Sequence, residues 1–349
     1  MATGDMIFQD SFQHYQTAAG VLSPKWTDAS LMAVAVVGLA NPMFGTGGLY
    51  DQSLLAASNA SGYWRKVLPA SYASGTVGCY FRTGTLNNAS IIFALGDSGS
   101  LQLDVRYTTT GAITVTRNGT VLATSVNTLA INTAYHIELL ATINNSTGTY
   151  EVKVNGSSVN WVPNATGANT RATANNTFNE VRLYSRSSND TGSTTHRFSH
   201  LYVVEGLSSV GAYVGHTMRP AGAGYSNQFT GNFGSNWLNV ADTENDSDST
   251  FNQSATDTDK DSFLMQAAPT GTIHSVQASI NARQDAGTGR TIRAFLRIGG
   301  TNYYGAAQSL VATYRMLTWE WTVNPATSVA WTTSDLASGS IELGYERVS

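Results

Sequence analysis

The chain is 349 residues long, enough for two ordinary domains that each bury a core. Only 12% of it is charged, against roughly a quarter in a typical globular protein, and the net charge of −4 argues against bulk nucleic-acid binding. The apolar share of 42% excludes a disordered chain. Gly, Ser, Thr, Asn and Ala take the places of the missing charges, a composition of short strands and many turns.

A single cysteine, Cys79, excludes an intrachain disulfide framework. It lies in the apolar run Val77-Gly78-Cys79-Tyr80-Phe81 and reads as a small buried hydrophobe. The longest apolar run, residues 31–40, is too short to span a membrane, and no membrane insertion is expected. Met1-Ala2-Thr3-Gly4-Asp5 has neither the basic start nor the apolar stretch of a signal peptide. Sequons such as Asn59-Ala60-Ser61 and Asn118-Gly119-Thr120 arise from composition and read as turns.

In chain order, residues 1–30 hold a short entry strand and a polar loop ending at Trp26. Residues 31–39 suit a buried strand or a helical turn, which period alone does not decide, and 45–48 is a turn. Strands are expected at 63–68 and 76–82. A hairpin joins 90–95 to 101–107 across Gly96-Asp97-Ser98-Gly99, and another joins 113–117 to 121–124 across Asn118-Gly119. The organising stretch is 135–159. His136-Ile137-Glu138-Leu139 and Tyr150-Glu151-Val152-Lys153-Val154 alternate between two faces around a turn at 144–148, and Asn155-Gly156 signals a second hairpin. Residues 162–178 and 185–196 read as exposed loop tips. Strands at about ten-residue spacing, with no long amphipathic helix, predict a sandwich rather than alternating α/β units.

The Gly-rich stretch 206–223 with Pro220 reads as a junction, with residues 206–215 as a linker between a first domain (1–205) and a second (216–349). In the second, strands are expected at 262–266, 273–283, 291–298, 313–323 and 340–346. Trp319 and Trp321 share one face. The fold class is therefore all-β, two tandem β-sandwiches.

Tyr135-His136-Ile137-Glu138, then Tyr150-x-Val152-x-Val154-Asn155-Gly156, resembles the laminin-G-like, concanavalin A-like jelly rolls. The resemblance takes in the FxDSF start (Phe8 to Phe12) and Trp26. It continues through Asn179-Glu180-Val181-Arg182-Leu183-Tyr184 and Phe198-Ser199-His200-Leu201-Tyr202-Val203-Val204, which in that fold would close the sheets. His200 stands where the closing strand usually carries an acid. Further on, Arg219-Pro220-Ala221-Gly222-Ala223-Gly224, Asp259-Lys260-Asp261-Ser262-Phe263 and Val323-Asn324-Pro325-Ala326-Thr327 resemble a group of tailed-bacteriophage particle proteins, so that the likeness spans nearly the whole chain. It implies a virion protein made in the host cytoplasm and released with the particle. It supplies no functional residues, because its pattern is structural throughout.

Several motifs invite a chemical reading. Gly96-Asp97-Ser98-Gly99-Ser100 resembles a serine-protease nucleophile motif, but the only upstream histidine is His14, in Phe12-Gln13-His14-Tyr15, and a hairpin turn explains the sequence. Glycanases of this fold set two carboxylates on one strand face; that pattern is absent, and Glu138, Glu151 and Glu180 would have to meet in space. In the acidic stretches Asp242-Thr243-Glu244-Asn245-Asp246-Ser247-Asp248 and Asp257-Thr258-Asp259-Lys260-Asp261 alternating oxygen ligands could hold a Ca²⁺, but they lack the glycine and distal glutamate of an EF-hand and read first as solvated or interface loops. The six histidines show no metal-binding pair. Tyr63, Trp64, Trp161, Tyr303 and Tyr304 could stack on sugars, although strand aromatics mostly fill cores. Arg290, Arg293 and Arg297 form a face that meets either an acidic partner or water.

The expectation is thus a non-enzymatic virion structural or accessory protein with no cofactor, metal or catalytic residue. Its partners would be other virion proteins and further copies of itself. The alternative is an adhesin that binds host cell-surface glycans.

Overall fold

A computed structural model describes residues 4–12, 25–30, 43, 54–56, 62–162, 169–185, 196–242, 246 and 248–349. The expectations for 31–39 and 45–48, for His14, and for most of the 185–196 loop lie outside these residues. The described chain is antiparallel β-structure with two short 3-10 turns, Leu238–Val240 and Thr333–Leu336. No helix among the described residues is long and apolar enough to cross a membrane. Contacts divide the chain into two compact units that part between Gly215 and His216.

The first unit contains strands β1 (Met6–Asp10), β2 (Asp28–Ser30), β3 (Leu54–Ala56), β4 (Tyr63–Tyr72), β5 (Ser74–Thr83), β6 (Ser90–Asp97), β7 (Ser100–Tyr107), β8 (Ala112–Arg117), β9 (Thr120–Thr128), β10 (Tyr135–Thr142), β11 (Thr149–Val154), β12 (Ser157–Ser158), β13 (Trp161–Val162), β14 (Phe178–Tyr184) and β15 (His196–Glu205). They form a seven-stranded sheet, β1-β15-β5-β10-β11-β12 with β3 also on β15, and an eight-stranded sheet, β13-β9-β8-β7-β6-β14-β4-β2. Turn chemistry sets the hairpins. Ser98-Gly99, Asn118-Gly119 and Asn155-Gly156 all have positive φ at both positions, the backbone a two-residue type I′ loop requires.

The period of two then buries one face of each sheet. Val77, Cys79, Phe81, Ile137 and Leu139 face inward from one, and Trp64, Phe93, Leu95, Val105, Val181 and Leu183 from the other, all fully or almost fully buried. Tyr107 of β7 bridges the sheets: its ring lies 6.0 Å from Phe81, and its hydroxyl is 2.8 Å from His196 Nε2. Cys79 is a free thiol in this core, and burial pushes its pKa up, so it is inert filling as expected.

Residues 206–215, read from sequence as a linker, are instead bound to the outer face of the seven-stranded sheet. Glu138, Gly78 and Tyr202 lie in one cross-strand row. A Cβ on Gly78 would come within 2.2 Å of the Tyr202 ring, so only glycine lets the ring cross to Glu138, to which its hydroxyl donates. The same carboxylate accepts from Val210 N–H (2.9 Å), Gly211 N–H (3.0 Å) and Ser209 Oγ (2.8 Å). Val210 and Tyr213 pack on Met6, Tyr202 and Val204. Gly215 N–H donates to His200 Nδ1 (3.1 Å), so the His200 ring accepts from the backbone.

The second unit contains β16 (Pro220–Asn227), β17 (Thr230–Gly231), β18 (Asn252–Gln253), β19 (Lys260–Met265), β20 (Val276–Ala282), β21 (Thr291–Ile298), β22 (Thr301–Tyr304), β23 (Gln308–Ser309), β24 (Arg315–Trp321) and β25 (Ile341–Arg347). A sheet of order β16-β19-β25-β21-β22, with β23 also on β21, packs on the β20–β24 pair. Phe263, Ala294 and Tyr345 from the first meet Ala278, Leu317 and Trp319 from the second. The strand β16 falls where sequence suggested a junction. Asp261, fully buried, accepts from Gln228 N–H (2.8 Å), Phe229 N–H (3.0 Å) and Asn236 Nδ2 (2.8 Å), fixing the loops beyond it.

Burial alone would raise the pKa of Glu138. The bonds from Tyr202, Ser209 and Gly211 and the nearby His136 outweigh it and hold the carboxyl below its ordinary 4.5. Burial holds His136 below its ordinary 6.5. Both depressed values act with the same sign: stability is present at neutral pH and falls as pH drops, first below 6.5 and again below 4.5. Glu138→Ala should cost about 3 kcal/mol in urea unfolding, because it strands several buried donors. In Glu138→Gln the stability loss below pH 4.5 should shrink, with Asp335 still contributing, while the loss below 6.5 remains; a variant with the parent's full pH profile would refute this assignment.

Candidate functional site

The outer face of the eight-stranded sheet carries a cluster of charged groups: Arg65, Asp104, Arg106, Glu180 and Arg182. Strand register places Arg65, Arg182, Ala94, Asp104 and Thr116 in one row across β4, β14, β6, β7 and β8. Glu180 stands opposite Gly96 and Val67, and Tyr184 opposite Tyr63. The spacing Glu180-x-Arg182-x-Tyr184 sets all three on this face, while Val181 and Leu183 enter the core.

Glu180 is 1% exposed and accepts from Arg182 Nε (2.8 Å) and Nη2 and from Arg65 Nη1 (3.4 Å). A Cβ on Gly96 would lie 2.3 Å from Glu180 Oε1, so the glycine makes room for the carboxylate. The Arg182 guanidinium lies 4.5 Å over the Tyr63 ring, which is 5.4 Å from Tyr184. Asp104, fully buried, holds Arg106 through Nε and through Nη2 (3.1 Å). Burial pushes the Tyr184 hydroxyl up, with Arg182 pulling it back.

This arrangement is built to hold position and present polar groups. Both carboxylates are engaged by arginines through charge-assisted hydrogen bonds.

The motifs singled out in the sequence fall elsewhere. Glu138 and Glu151 belong to the seven-stranded sheet and Glu180 to the other, so the three do not converge. Glu151 accepts from Ser158. Asp97 is an anchor: its Oδ2 accepts from Thr173 Oγ1 (2.8 Å) and Asn175 Nδ2 (2.9 Å), and the Ser98 hydroxyl donates to its Oδ1 (3.2 Å). Buried Gln102 adds bonds to Ala172 N–H and to the Asn175 and Thr177 carbonyls. Residues 172–177 are therefore tied to the β6–β7 hairpin, with Ala174, Asn175 and Asn176 exposed, while residues 163–168 of the expected 162–178 loop lie outside the described residues.

In the acidic stretches, Asp246 Oδ2 accepts from Thr250 Oγ1 (2.7 Å) and Asp248 Oδ1 from Tyr314 (2.8 Å) and Arg283 (3.1 Å); Asp257 pairs with Arg347 (3.1 Å) and Asp259 accepts from Ser254 (2.6 Å). Thr243, Glu244, Asn245 and Ser247 lie outside the described residues. Among the described residues no group of three or more His, Cys, Asp or Glu is placed to hold a metal ion.

Of the aromatics, Trp64 is a core residue 5.9 Å from Trp26, and Tyr63 lies on the charged face. Trp161 is in β13 opposite Ser125, with its side chain outside the described set. Tyr303 is half-buried, and Tyr304 is more open, with Arg293 3.9 Å over its ring. Arg293 pairs with Glu346 (3.0 Å) and Arg297 with Glu342 (3.8 Å), so the arginine face of the second unit carries its own counter-charges; Arg290 precedes the strand. Sequence reasoning missed Arg65, Asp104, Arg106 and Arg182. The alternation of Glu180 and Arg182 was a readable signal, but the rest depends on strand order.

No family model matches the chain, and no curated protein matches it in sequence. Among solved structures it is similar to a Bacillus licheniformis β-glucanase (13% identity, 58% of this chain and 99% of that one, TM-score 0.36). It is also similar to the carbohydrate recognition domain of Emp47p (9%, 57% and 97%, 0.36) and to the Bacillus subtilis carbohydrate-binding module CBM66 (12%, 43% and 86%, 0.31). The match to a sialidase spans 15% of that protein, and that to Trypanosoma rangeli sialidase in complex with DANA spans 28%. These likenesses concern the fold alone.

Glu180→Ala should cost about 3 kcal/mol, since it leaves buried Arg182 without its carboxylate. The double variant Glu180→Leu/Arg182→Met should be more stable than either single change in urea unfolding; additive losses would show that the two side chains do not act as a pair.

Proposed function

We propose that the chain is a non-enzymatic structural or accessory protein of a tailed-phage particle that presents a lectin-like sandwich at the particle surface. The observation that carries the non-enzymatic part is the state of the buried carboxylates. Glu138, Glu180, Asp97, Asp104 and Asp261 each accept from arginine, amide, hydroxyl or backbone donors, which suits holding a shape. The particle assignment rests on the resemblance of the Arg219–Gly224, Asp259–Phe263 and Val323–Thr327 segments to phage particle proteins. A low density of charge favours this role, because flat sheet faces can pack on neighbours with little desolvation. Many copies on one particle would turn weak contacts into avidity. The second unit is the part assigned to docking or self-association.

The second reading is a host-glycan adhesin, supported by the arginine-rich face around Tyr63. Purified protein mixed with particles that lack it should sediment with them at a fixed copy number. Failure to attach, combined with Tyr63-dependent binding on an array of immobilised glycans, would transfer the assignment to the adhesin.

A further inference from the structure

The outer face of the second unit's larger sheet carries a feature that neither reading uses. Tyr225 of β16 is 75% exposed, the most exposed large apolar or aromatic side chain among the described residues. It is nonetheless held in place. Its N–H donates to Glu342 Oε2 (2.8 Å), and the Arg297 guanidinium lies 4.0 Å from its ring centroid. A guanidinium covers one face of a ring, so at this exposure the other face is open to water. Arg297 is positioned in turn by Glu342 and by Asn302, which accepts from Nη1 (3.0 Å), and Asn302 donates to the hydroxyl of Tyr304 (3.2 Å). A fixed, half-open aromatic ring thus stands beside a planar guanidinium, a carboxylate and an amide. Beneath them Phe295, fully buried although it points away from the core, packs 5.3 Å from Tyr304.

From this geometry we infer that Tyr225, with Arg297, Asn302 and Glu342, forms a binding subsite for a neutral pyranose sugar. The C–H face of a pyranose is apolar and flat and stacks on a ring whose position is already paid for; its hydroxyls are donors and acceptors at once and match a fork of both kinds. Charge selects the neutral sugar over an acidic one. Arg297 faces Glu342, and Arg293 and Lys260 face Glu346, so a sugar carboxylate would have to displace an existing partner. Composition selects a sugar over a protein partner. The open surface is dominated by the Tyr225 ring, with Tyr304 (38% exposed) and Leu264 (36%) partly open near it among polar and charged groups, whereas the centre of a protein interface is apolar and depleted of charge. The subsite does not depend on the particle assignment.

The test uses the full chain on immobilised oligosaccharides of neutral hexoses and N-acetylhexosamines, with sialylated and uronic-acid-bearing glycans as the acidic arm. Binding to at least one neutral glycan is expected. It should fall at least tenfold in Tyr225→Ala, persist in Tyr225→Phe and in Tyr63→Ala, and change little between 50 and 500 mM salt (about a tenfold span, over which an ion-pair contact would be screened). Because Tyr225 is exposed, Tyr225→Ala should keep the parent's urea midpoint, and that measurement accompanies the array. Absence of neutral-glycan binding, binding confined to acidic glycans, equal binding by Tyr225→Ala, or a change of oligomeric state in Tyr225→Ala without a change in glycan binding would each overturn the inference. None of these outcomes bears on sedimentation with particles.

Discussion

A carboxylate taken out of water must be supplied with donors, and in this chain that requirement shapes the loops. Asp10 collects the Phe12 N–H (2.9 Å) and the Trp26 indole (2.8 Å). Asp97 collects Thr173 and Asn175; Glu138 collects Tyr202, Ser209, Val210 and Gly211; Asp261 collects Gln228, Phe229 and Asn236. In each case an acid on a strand, or at its end, draws a stretch without regular structure onto the sheet. Backbone N–H groups that would otherwise need water are satisfied in the same step. A protein with few charges has placed several of them where their desolvation is most costly, and the gain is fixed geometry for long connections.

How much of this could be read beforehand depends on whether the signal is local. Asn118-Gly119 and Asn155-Gly156 state their turns outright, because few residue pairs accept positive φ twice, and the alternation through 135–154 states its strands. The strand at Pro220–Asn227 was illegible. Its Pro-Ala-Gly-Ala-Gly sequence has no apolar alternation, and it is a strand because β19 offers an edge to pair with. The binding of 206–215 was equally hidden, since the donors that Glu138 recruits there are mostly main-chain groups that any sequence would carry. On the charged face, Glu180 and Arg182 announce themselves by spacing. Arg65 and Asp104 reach the same row only through the order β4-β14-β6-β7, which is a non-local fact.

One device recurs on both outer faces: an arginine held by a glutamate and laid over a tyrosine. Arg182 joins Glu180 and Tyr63; Arg293 joins Glu346 and Tyr304; Arg297 joins Glu342 and Tyr225. The glutamate cancels the charge and fixes the guanidinium plane, and the guanidinium fixes the ring. What differs is exposure. Arg182 is 5% exposed and its device is largely internal, whereas Tyr225 stands in solvent.

That difference bears on how such a surface can recognise anything. With its arginines neutralised in place, a face presents ring planes and oriented dipoles but little net field, so it cannot draw a charged ligand from a distance. Recognition then depends on short-range fit, and a single contact of one ring with a few hydrogen bonds is weak. Such a site becomes effective when many copies engage together, which is the condition that display on a particle surface would supply. The scarcity of charge and the internally paired arginines are therefore consequences of a single choice, to neutralise charge within the protein, and any recognition on such a face is left to shape.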